Sequence, residues 1–281
     1  HLFGNPCGME ALIYLEKSYS LYFIEDCANA IGSENRGRRV GSMGDVACFS
    51  FSLGKYIMTF GGGMITTKNR EIFIKLKKIH SNLKKPLPLY IAKQFCKTII
   101  AKMATDRHLF FYTAYLPVLL FNLLENDLLN DCFQETDHMI KGIAVFRYSS
   151  VQAVVGINQL KRLDRLNFNR GENVKLYNEL MKNVKGIRLI KAQPESKHVY
   201  WKYPLCVYKR SLFIRKMILS GIDIEKVYAY NCSGYRIFKP FLSHCPVAYA
   251  VSKELIVLPT HYSLRKRDVL HIVESFKEAV S

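Results

Sequence analysis

Four polar residues near the start of the chain could do chemistry together: Asp26, Asn29, Ser50 and Lys55. Asp26 ends the apolar run LYFIED, while Lys55 lies in a loop between two strand-like runs and is followed by glycines at 61–63. Taken singly, each has an ordinary explanation, because lysines are usually solvated and short polar side chains usually hydrogen-bond nearby backbone. Their combination points to one specific task.

That task is to hold pyridoxal phosphate. A lysine in a sheltered loop, where its pKa can fall, forms a Schiff base with an aldehyde cofactor. The cofactor also needs an anion beside its ring nitrogen, so that the protonated ring can accept electrons. We therefore predict Lys55 as the nucleophile, Asp26 as the anion and Ser50 as part of the phosphate site. The glycines would let the backbone approach closely, and no metal is expected.

The elements that must position these residues follow an α/β pattern. The LYFIED run predicts a buried parallel strand with both acids at its carboxyl end, where ligands gather in such sheets. Two more strands are predicted at 46–51 and 63–67, with the lysine loop between them. Helical spacing predicts a long helix over 149–184, with room for an interruption. We expect a large cofactor-binding domain at 1–189 and a smaller one at 190–281.

The composition indicates a globular protein, and its excess of positive charge suggests an anionic partner. The 281 residues are 49% hydrophobic and carry a net charge of +18. Between Lys68 and Arg107 there are eleven basic and two acidic residues, so half of the excess lies in this block. The eight cysteines form no CxxC pair and favour a reducing, cytoplasmic setting. Because the sequence begins with His1, we expect a fragment of a longer protein.

In its motifs the chain resembles the DegT/DnrJ/EryC1/StrS family of sugar aminotransferases, pyridoxal-phosphate enzymes of fold type I. The matching stretches, in the family's order, are HLFG, IEDCANAIG, GRRVGSMGDVACFSFSLGK, GGGMITT, FRYSSVQAVVGINQLKRLD, HVYWKYPL and LPTHYSL. They cover most of residues 1–82 and 142–281. The resemblance implies a large domain with a mostly parallel sheet, lacking its N-terminal part here, and a smaller C-terminal α/β domain.

The resemblance also implies individual roles. Lys55 would bond to the cofactor and move the proton between cofactor and substrate carbons. Asp26 would pair with the pyridinium nitrogen, and Ser50 would hold the phosphate. Asn29 stands where the family usually has glutamine near the phenolic oxygen, so the same amide is one methylene shorter.

The implied reaction transfers an amino group, usually from glutamate, to a keto group of a nucleotide-linked sugar for amino-sugar or polysaccharide biosynthesis. The family usually forms homodimers with shared active sites. Besides the absent N-terminal part, two positions depart from the family pattern. Val145 replaces an asparagine that in the family reaches the cofactor phosphate of the neighbouring subunit, and Gly61 replaces a glutamate that is common in the family. Lys55 argues against the dehydrating branch, which has histidine there.

Residues 83–140 are longer than the family's usual connection. Around a basic helix, Tyr90, Ile91, Phe95, Ile99 and Met103 are predicted to share one side. Such a segment could lie on an anionic membrane surface or form a cap on the protein's own dimer. Nucleic-acid binding is not indicated, because no recognition module is visible.

Two alternatives to the enzyme stay open at this point. The chain could be a non-catalytic or fragmentary relative that serves as a binding or scaffold protein. It could instead be a peripheral membrane protein whose main role lies in its basic insertion.

Overall fold

The structure is a computed structural model that describes residues 1–106, 109–116, 145–222, 224–226, 240 and 244–280. Its helices are α1 Met9–Tyr19, α2 Arg70–Asn82, α3 Pro88–Ala104, α4 Ser150–Leu160, α5 Leu163–Met181, α6 Arg210–Leu219, α7 Pro246–Glu254 and α8 Lys266–Val280. Its strands are β1 Ile24–Asp26, β2 Glu34–Asn35, β3 Arg38–Arg39, β4 Val46–Ser50, β5 Gly63–Thr67, β6 Ile187–Leu189, β7 Ser196–Lys197, β8 Tyr203–Val207, β9 Glu225–Lys226 and β10 Leu255–Leu258.

The first sheet carries the predicted chemistry and has the strand order β1-β4-β5. Strand β1 runs parallel to β4, whereas β5 is antiparallel to β4. The described part of this sheet is therefore mixed rather than mostly parallel. The LYFIED strand is also less buried than expected, since β1 is an outer strand among the three that the structure describes in this sheet and Ile24 is 62% exposed.

The two acids of LYFIED lie on opposite faces of the sheet, because successive strand side chains alternate. Glu25 is 2% exposed, and its carboxylate accepts backbone hydrogen bonds from Gly41, Met43 and Gly44 at 2.8, 2.7 and 2.6 Å. Asp26 is exposed on the other face. Both acids lie at the carboxyl end of β1, as predicted, and Glu25 holds the glycine-rich loop against the strand.

The predicted long helix is two helices, α4 and α5, separated at Lys161–Arg162. Helix α4 begins with a capping box in which Ser149 and Gln152 satisfy each other's backbone N–H groups. Helix α5 buries Val174, Tyr177 and Met181 in the main hydrophobic core.

That core lies beside a second sheet of order β6-β8-β10-β9, in which all described pairs are antiparallel. Strands β8 and β10 are buried along their whole length, so they read as continuous apolar runs. Helices α6 and α8 cover them. The rings of Phe213 and Phe276 meet edge to face, with their centres 4.8 Å apart. The division into domains 1–189 and 190–281 stays a prediction.

Only part of the insertion at 83–140 falls within the described residues. It contains α3 and a short π-helical turn at Phe111–Tyr115, and the predictions for 107–108 and 117–140 lie outside the described part. Among the helices that the structure describes, none is long and apolar enough to cross a bilayer.

Candidate active site

Lys55 lies in a tight turn after β4. Its backbone N–H donates to Ser52 O at 3.2 Å, and its Nζ donates to Asn29 Oδ1 at 2.6 Å. Burial lowers the pKa of the Lys55 amine, the Asp26 carboxylate opposes this change, and the positive charge of Lys202 reinforces it. More of this amine is therefore neutral near pH 7 than of a fully exposed lysine, which is the form that attacks a carbonyl carbon.

Asp26 is the last residue of β1. Cross-strand partners in a sheet share a face, and Asp26 pairs with Cys48, two residues before Ser50. The Asp26 carboxylate and the Ser50 hydroxyl therefore project from the same face. Asp26 Oδ1 accepts the Ala28 N–H at 2.9 Å, which fixes the carboxylate while leaving it exposed.

Ser50 ends β4 and has a partner that the sequence analysis missed. Its Oγ lies 3.0 Å from Ser52 Oγ, so two hydroxyls stand side by side. Adjacent hydroxyls at a strand end are suitable donors for phosphate oxygens. The alternation in FSFS could have indicated this pair, since residues two apart on a strand share a face.

Trp201 is a second residue that the sequence reasoning missed. The Lys55 Nζ lies 4.5 Å from the centre of its ring, and Trp201 Nε1 donates to Gly54 O at 2.9 Å. The LPTH motif holds this segment, because Thr260 Oγ1 donates to Trp201 O at 3.3 Å. Trp201 therefore shelters the amine from the side of the second sheet. Its presence in HVYWKYPL was the available signal.

The buried ring of Tyr56 holds the loop that carries Lys55 in place. Its ring is 6% exposed, and the Arg170 guanidinium lies 4.6 Å from the ring centre. Burial raises the pKa of the Tyr56 hydroxyl, so it stays neutral. Arg170 in turn donates to Asn167 Oδ1 at 3.1 Å. A buried aromatic next to Lys55 restricts the turn that carries the amine.

Two of the three glycines, Gly62 and Gly63, are required by the packing of the fold. A side chain at Gly62, where φ is +84°, would meet the Tyr148 ring at 2.8 Å. Gly63 packs against the β4 backbone, which leaves no room for a Cβ. Gln152 Nε2 donates to Thr59 O at 2.9 Å, and Tyr148 Oη donates to Thr59 Oγ1. The close approach predicted for this loop is thus to Tyr148 and β4.

The two positions that depart from the family pattern, Gly61 and Val145, both lie in open surroundings. Gly61 has φ of +107° with open space around its Cα, so glycine satisfies the backbone geometry there. Val145 is 61% exposed at the edge of the described segment.

His1, Glu25 and Cys27 come within 4.8 Å of one another through potential ligand atoms. The Glu25 oxygens, however, already accept three backbone N–H groups of the 41–44 loop, and Glu25 Oε2 lies 3.3 Å from His1 Nε2. Burial, helped by the Glu25 charge, raises the pKa of the Cys27 thiol to about 12, so it stays protonated. The cluster is therefore a structural hydrogen-bond network.

The donor set around Lys55 fits pyridoxal phosphate. It offers an amine of lowered pKa for the aldehyde, an exposed carboxylate for the ring nitrogen, an amide beside the amine and a pair of hydroxyls for the phosphate. Lys55 and Asn29 are in direct contact, and Asp26 acts on the amine through its charge.

Curated relatives match the whole chain at low identity. An uncharacterised protein of Methanocaldococcus jannaschii is 27% identical over 100% of this chain and 66% of its own length. A protein named GDP-perosamine synthase from Caulobacter vibrioides is 24% identical over 100% of this chain and 64% of its own. The chain therefore spans just under two thirds of the length of these relatives.

The fold is also that of solved sugar aminotransferases. The crystal structure of DesV from S. venezuelae, described as a complex with a ketimine intermediate, superposes with a TM-score of 0.71 at 22% identity. The match covers 99% of this chain and 63% of DesV.

A sequence model of the DegT/DnrJ/EryC1/StrS aminotransferase family matches residues 1–86 and 129–277. The match contains the lysine, the acid and the glycine loop, and it skips 87–128, within the predicted insertion. The chain therefore belongs to the DegT/DnrJ/EryC1/StrS aminotransferase family.

Proposed function

We propose that the full-length protein is a pyridoxal-phosphate-dependent aminotransferase that moves an amino group from glutamate to a keto group of a nucleotide-linked sugar. The single observation that carries this proposal is the Lys55 amine, which has a lowered pKa, touches Asn29 and faces the charge of Asp26. The names of relatives support the substrate class, since they include GDP-perosamine synthase and a dTDP-sugar transaminase. Amino-sugar or polysaccharide biosynthesis is the process we infer.

Each residue has a defined part in the proposal. When bound, pyridoxal phosphate supplies an electron sink for the carbon that gains or loses a proton. Lys55 would hold the cofactor covalently and, once the amino donor has displaced it, would carry that proton on its free Nζ. Asp26 keeps a proton on the ring nitrogen, and Ser50 with Ser52 binds phosphate oxygens. Trp201 excludes water from one side of the amine.

Asn29 has a finer role in the same proposal. Its Oδ1 already accepts a hydrogen bond from Lys55 Nζ at 2.6 Å, so the amide orients the amine. The shorter side chain, compared with glutamine, places the amide at the amine. We infer that Asn29 holds Lys55 ready for attack and releases it when the cofactor is bound.

We also propose that the protein acts as a homodimer. On α4, one side holds the site loop, because Gln159 makes hydrogen bonds with the backbone N and O of Met58 at 3.0 and 2.7 Å. The other side exposes a row of apolar residues, Val151, Val154, Ile157 and Leu160, each more than half exposed. Such a row is typical of an interface between copies.

A cytoplasmic setting with a peripheral membrane contact through 83–140 completes the proposal. Among the residues that the structure describes, no disulfide joins two cysteines, and disulfides are rare in the reducing cytoplasm. The membrane contact is favoured by the exposed apolar side of α3.

The test of the reaction is a panel of nucleotide-linked keto sugars, each incubated with glutamate and the full-length protein. We expect one class of sugar to be aminated with matching formation of 2-oxoglutarate, and Lys55→Ala to lose at least about 100-fold of the rate. The scaffold alternative would be favoured if the panel gave no product while the protein was folded and loaded with cofactor.

A further inference from the structure

The outward side of α3 is apolar. Leu89, Ile100 and Met103 are 80%, 65% and 56% exposed, and Cys96 is exposed between them. Their separations of seven, four and three residues place them on one side of the helix. The sequence analysis had grouped Met103 with Tyr90 and Phe95, but only Tyr90 and Phe95 make the ring contacts described next.

The inward side of α3 is fixed by aromatic contacts. Tyr90 lies 5.0 Å from the Phe146 ring, and Phe95 lies 5.1 Å from the Phe60 ring in an edge arrangement. These contacts connect α3 to both segments beside the glycine loop. Because they hold the inner side, the apolar side points away from the rest of the described chain.

Four exposed lysines lie beside this apolar side. Lys93 and Lys97 are exposed on α3 one turn apart, and Lys84 and Lys85 are exposed just before it. Exposed apolar side chains bordered by lysines are the pattern of a helix that lies in the interface of an anionic bilayer. Lysine stems cover apolar surface while their ammonium groups reach the headgroups.

The sequence model of the family does not match residues 87–128, which contain α3. The exposed apolar surface of α3 calls for a partner, and the charge excess of the block 68–107 favours an anionic one.

We propose that the outward side of α3 binds an anionic phospholipid bilayer, with Leu89, Ile100 and Met103 at the acyl-chain boundary and Lys93 and Lys97 on the headgroups. This inference rests on the membrane contact proposed above and is independent of the transfer reaction. It assigns that contact to α3 and to negatively charged lipid.

The experiment is flotation of the full-length protein with vesicles of phosphatidylglycerol and phosphatidylcholine, compared with phosphatidylcholine alone. We expect the protein to float with the anionic vesicles only, and less at 0.5 M salt, because salt screens the charge term. The double variant Lys93→Gln/Lys97→Gln should bind roughly 30-fold more weakly. Ile100→Asp should abolish flotation.

Matched controls lie outside α3. Val247→Asp changes a residue that is 72% exposed on α7, and Lys182→Gln/Lys185→Gln removes two exposed charges after α5. Both should float like the wild type. Circular dichroism should show the same helix content in every variant.

The inference is overturned if the wild type stays in the aqueous layer with anionic vesicles, or if the control variants lose as much flotation as the α3 variants. It is also overturned if Ile100→Asp changes the oligomeric state of a protein that does not float, because α3 would then contact another copy. Transamination measured without vesicles separates the two proposals: Ile100→Asp should keep the wild-type rate whichever way flotation turns out.

Discussion

The hydrogen bond from Lys55 Nζ to Asn29 Oδ1 defines the site at the scale of single residues. It joins the carboxyl end of β1 to the turn after β4 through two side chains. The uncharged amide of Asn29 orients the amine without adding a negative charge, which would raise the pKa of Lys55.

The first prediction concerns the charge at position 29. Asn29→Asp places a carboxylate where the amide now lies and favours the charged form of Lys55. The pKa of the amine should rise, so the pH at which half of the protein bonds to pyridoxal phosphate should rise by roughly one unit or more. A pH titration of the cofactor absorbance of the full-length protein measures this midpoint.

Asn29→Gln is the control, because it keeps the amide and adds no charge. It should leave the midpoint within a few tenths of a pH unit of the wild type, about the effect of a small change in geometry. Equal midpoints for Asn29→Asp and wild type would contradict the assigned electrostatics.

Sequence reasoning reached Lys55, Asp26 and Asn29 because each lies at a strand end or in a motif read locally. It missed Trp201, since the contact of Trp201 with the amine depends on how a distant segment packs. It also gave Glu25 no role, although Glu25 holds the 41–44 loop. A strand pattern gives alternation, but it does not say which face carries the site.

At the scale of elements, Glu25 connects β1 to the loop before β4. Burial disfavours the Glu25 carboxylate, but the hydrogen bonds from His1 and from Gly44, Gly41 and Met43 outweigh this and lower its pKa to about 2. The folded state therefore holds the ionised acid more tightly than the unfolded state does. The resulting stability is complete above pH 4.5 and is lost as the pH falls towards 2.

The second prediction follows from that pKa. Between pH 5 and pH 2 the wild type should lose of the order of 3 kcal/mol more free energy of unfolding than Glu25→Gln, which has no carboxylate to protonate. Urea unfolding at a series of pH values measures the difference. Parallel losses in the two proteins would show that Glu25 does not hold the loop.

The third prediction concerns the glycine loop. Gly62→Ala combines a left-handed backbone with a Cβ that meets the Tyr148 ring at 2.8 Å, so it should cost about 2 kcal/mol or more. Urea unfolding measures the cost.

Gly37→Ala is the matched control, because its φ of +71° imposes the same backbone strain with nothing within 4 Å. It should cost about 1 kcal/mol. If the two variants lost equal stability, the packing of the loop against Tyr148 would be refuted.

At this scale the sequence predicted strand positions to within about three residues, because β4 and β5 alternate clearly. It did not predict that β1 would be a short outer strand of the described sheet with Ile24 exposed. Apolar character in a run indicates burial only when something covers both faces, and that depends on neighbouring elements.

At the scale of the whole molecule, the exposed row on α4 carries the fourth prediction. Ile157→Asp puts a charge in the middle of an apolar side and should shift the full-length protein from dimer to monomer. Sedimentation velocity measures the change. Val247→Asp introduces the same charge at a residue that is 72% exposed on α7 and should leave the dimer intact. A dimer that tolerates both changes would place the interface elsewhere.

The sequence predicted an α/β chain with a long helix between two sheets, and the fold follows that order. The second sheet could be inferred from its uniformly apolar strands. The direction of the α3 side chains could not, because both sides of α3 contain apolar residues and only packing against Phe60 and Phe146 decides which one faces inward.

The most direct test of the central claim is borohydride reduction of the full-length protein loaded with pyridoxal phosphate, followed by peptide mass spectrometry. Reduction fixes the bond between the cofactor and whichever amine holds it. The phosphopyridoxyl group should be found on Lys55 and be absent from Lys55→Ala. Its appearance on another lysine, or its absence from the wild type, would contradict the assignment of Lys55 as the cofactor-binding residue.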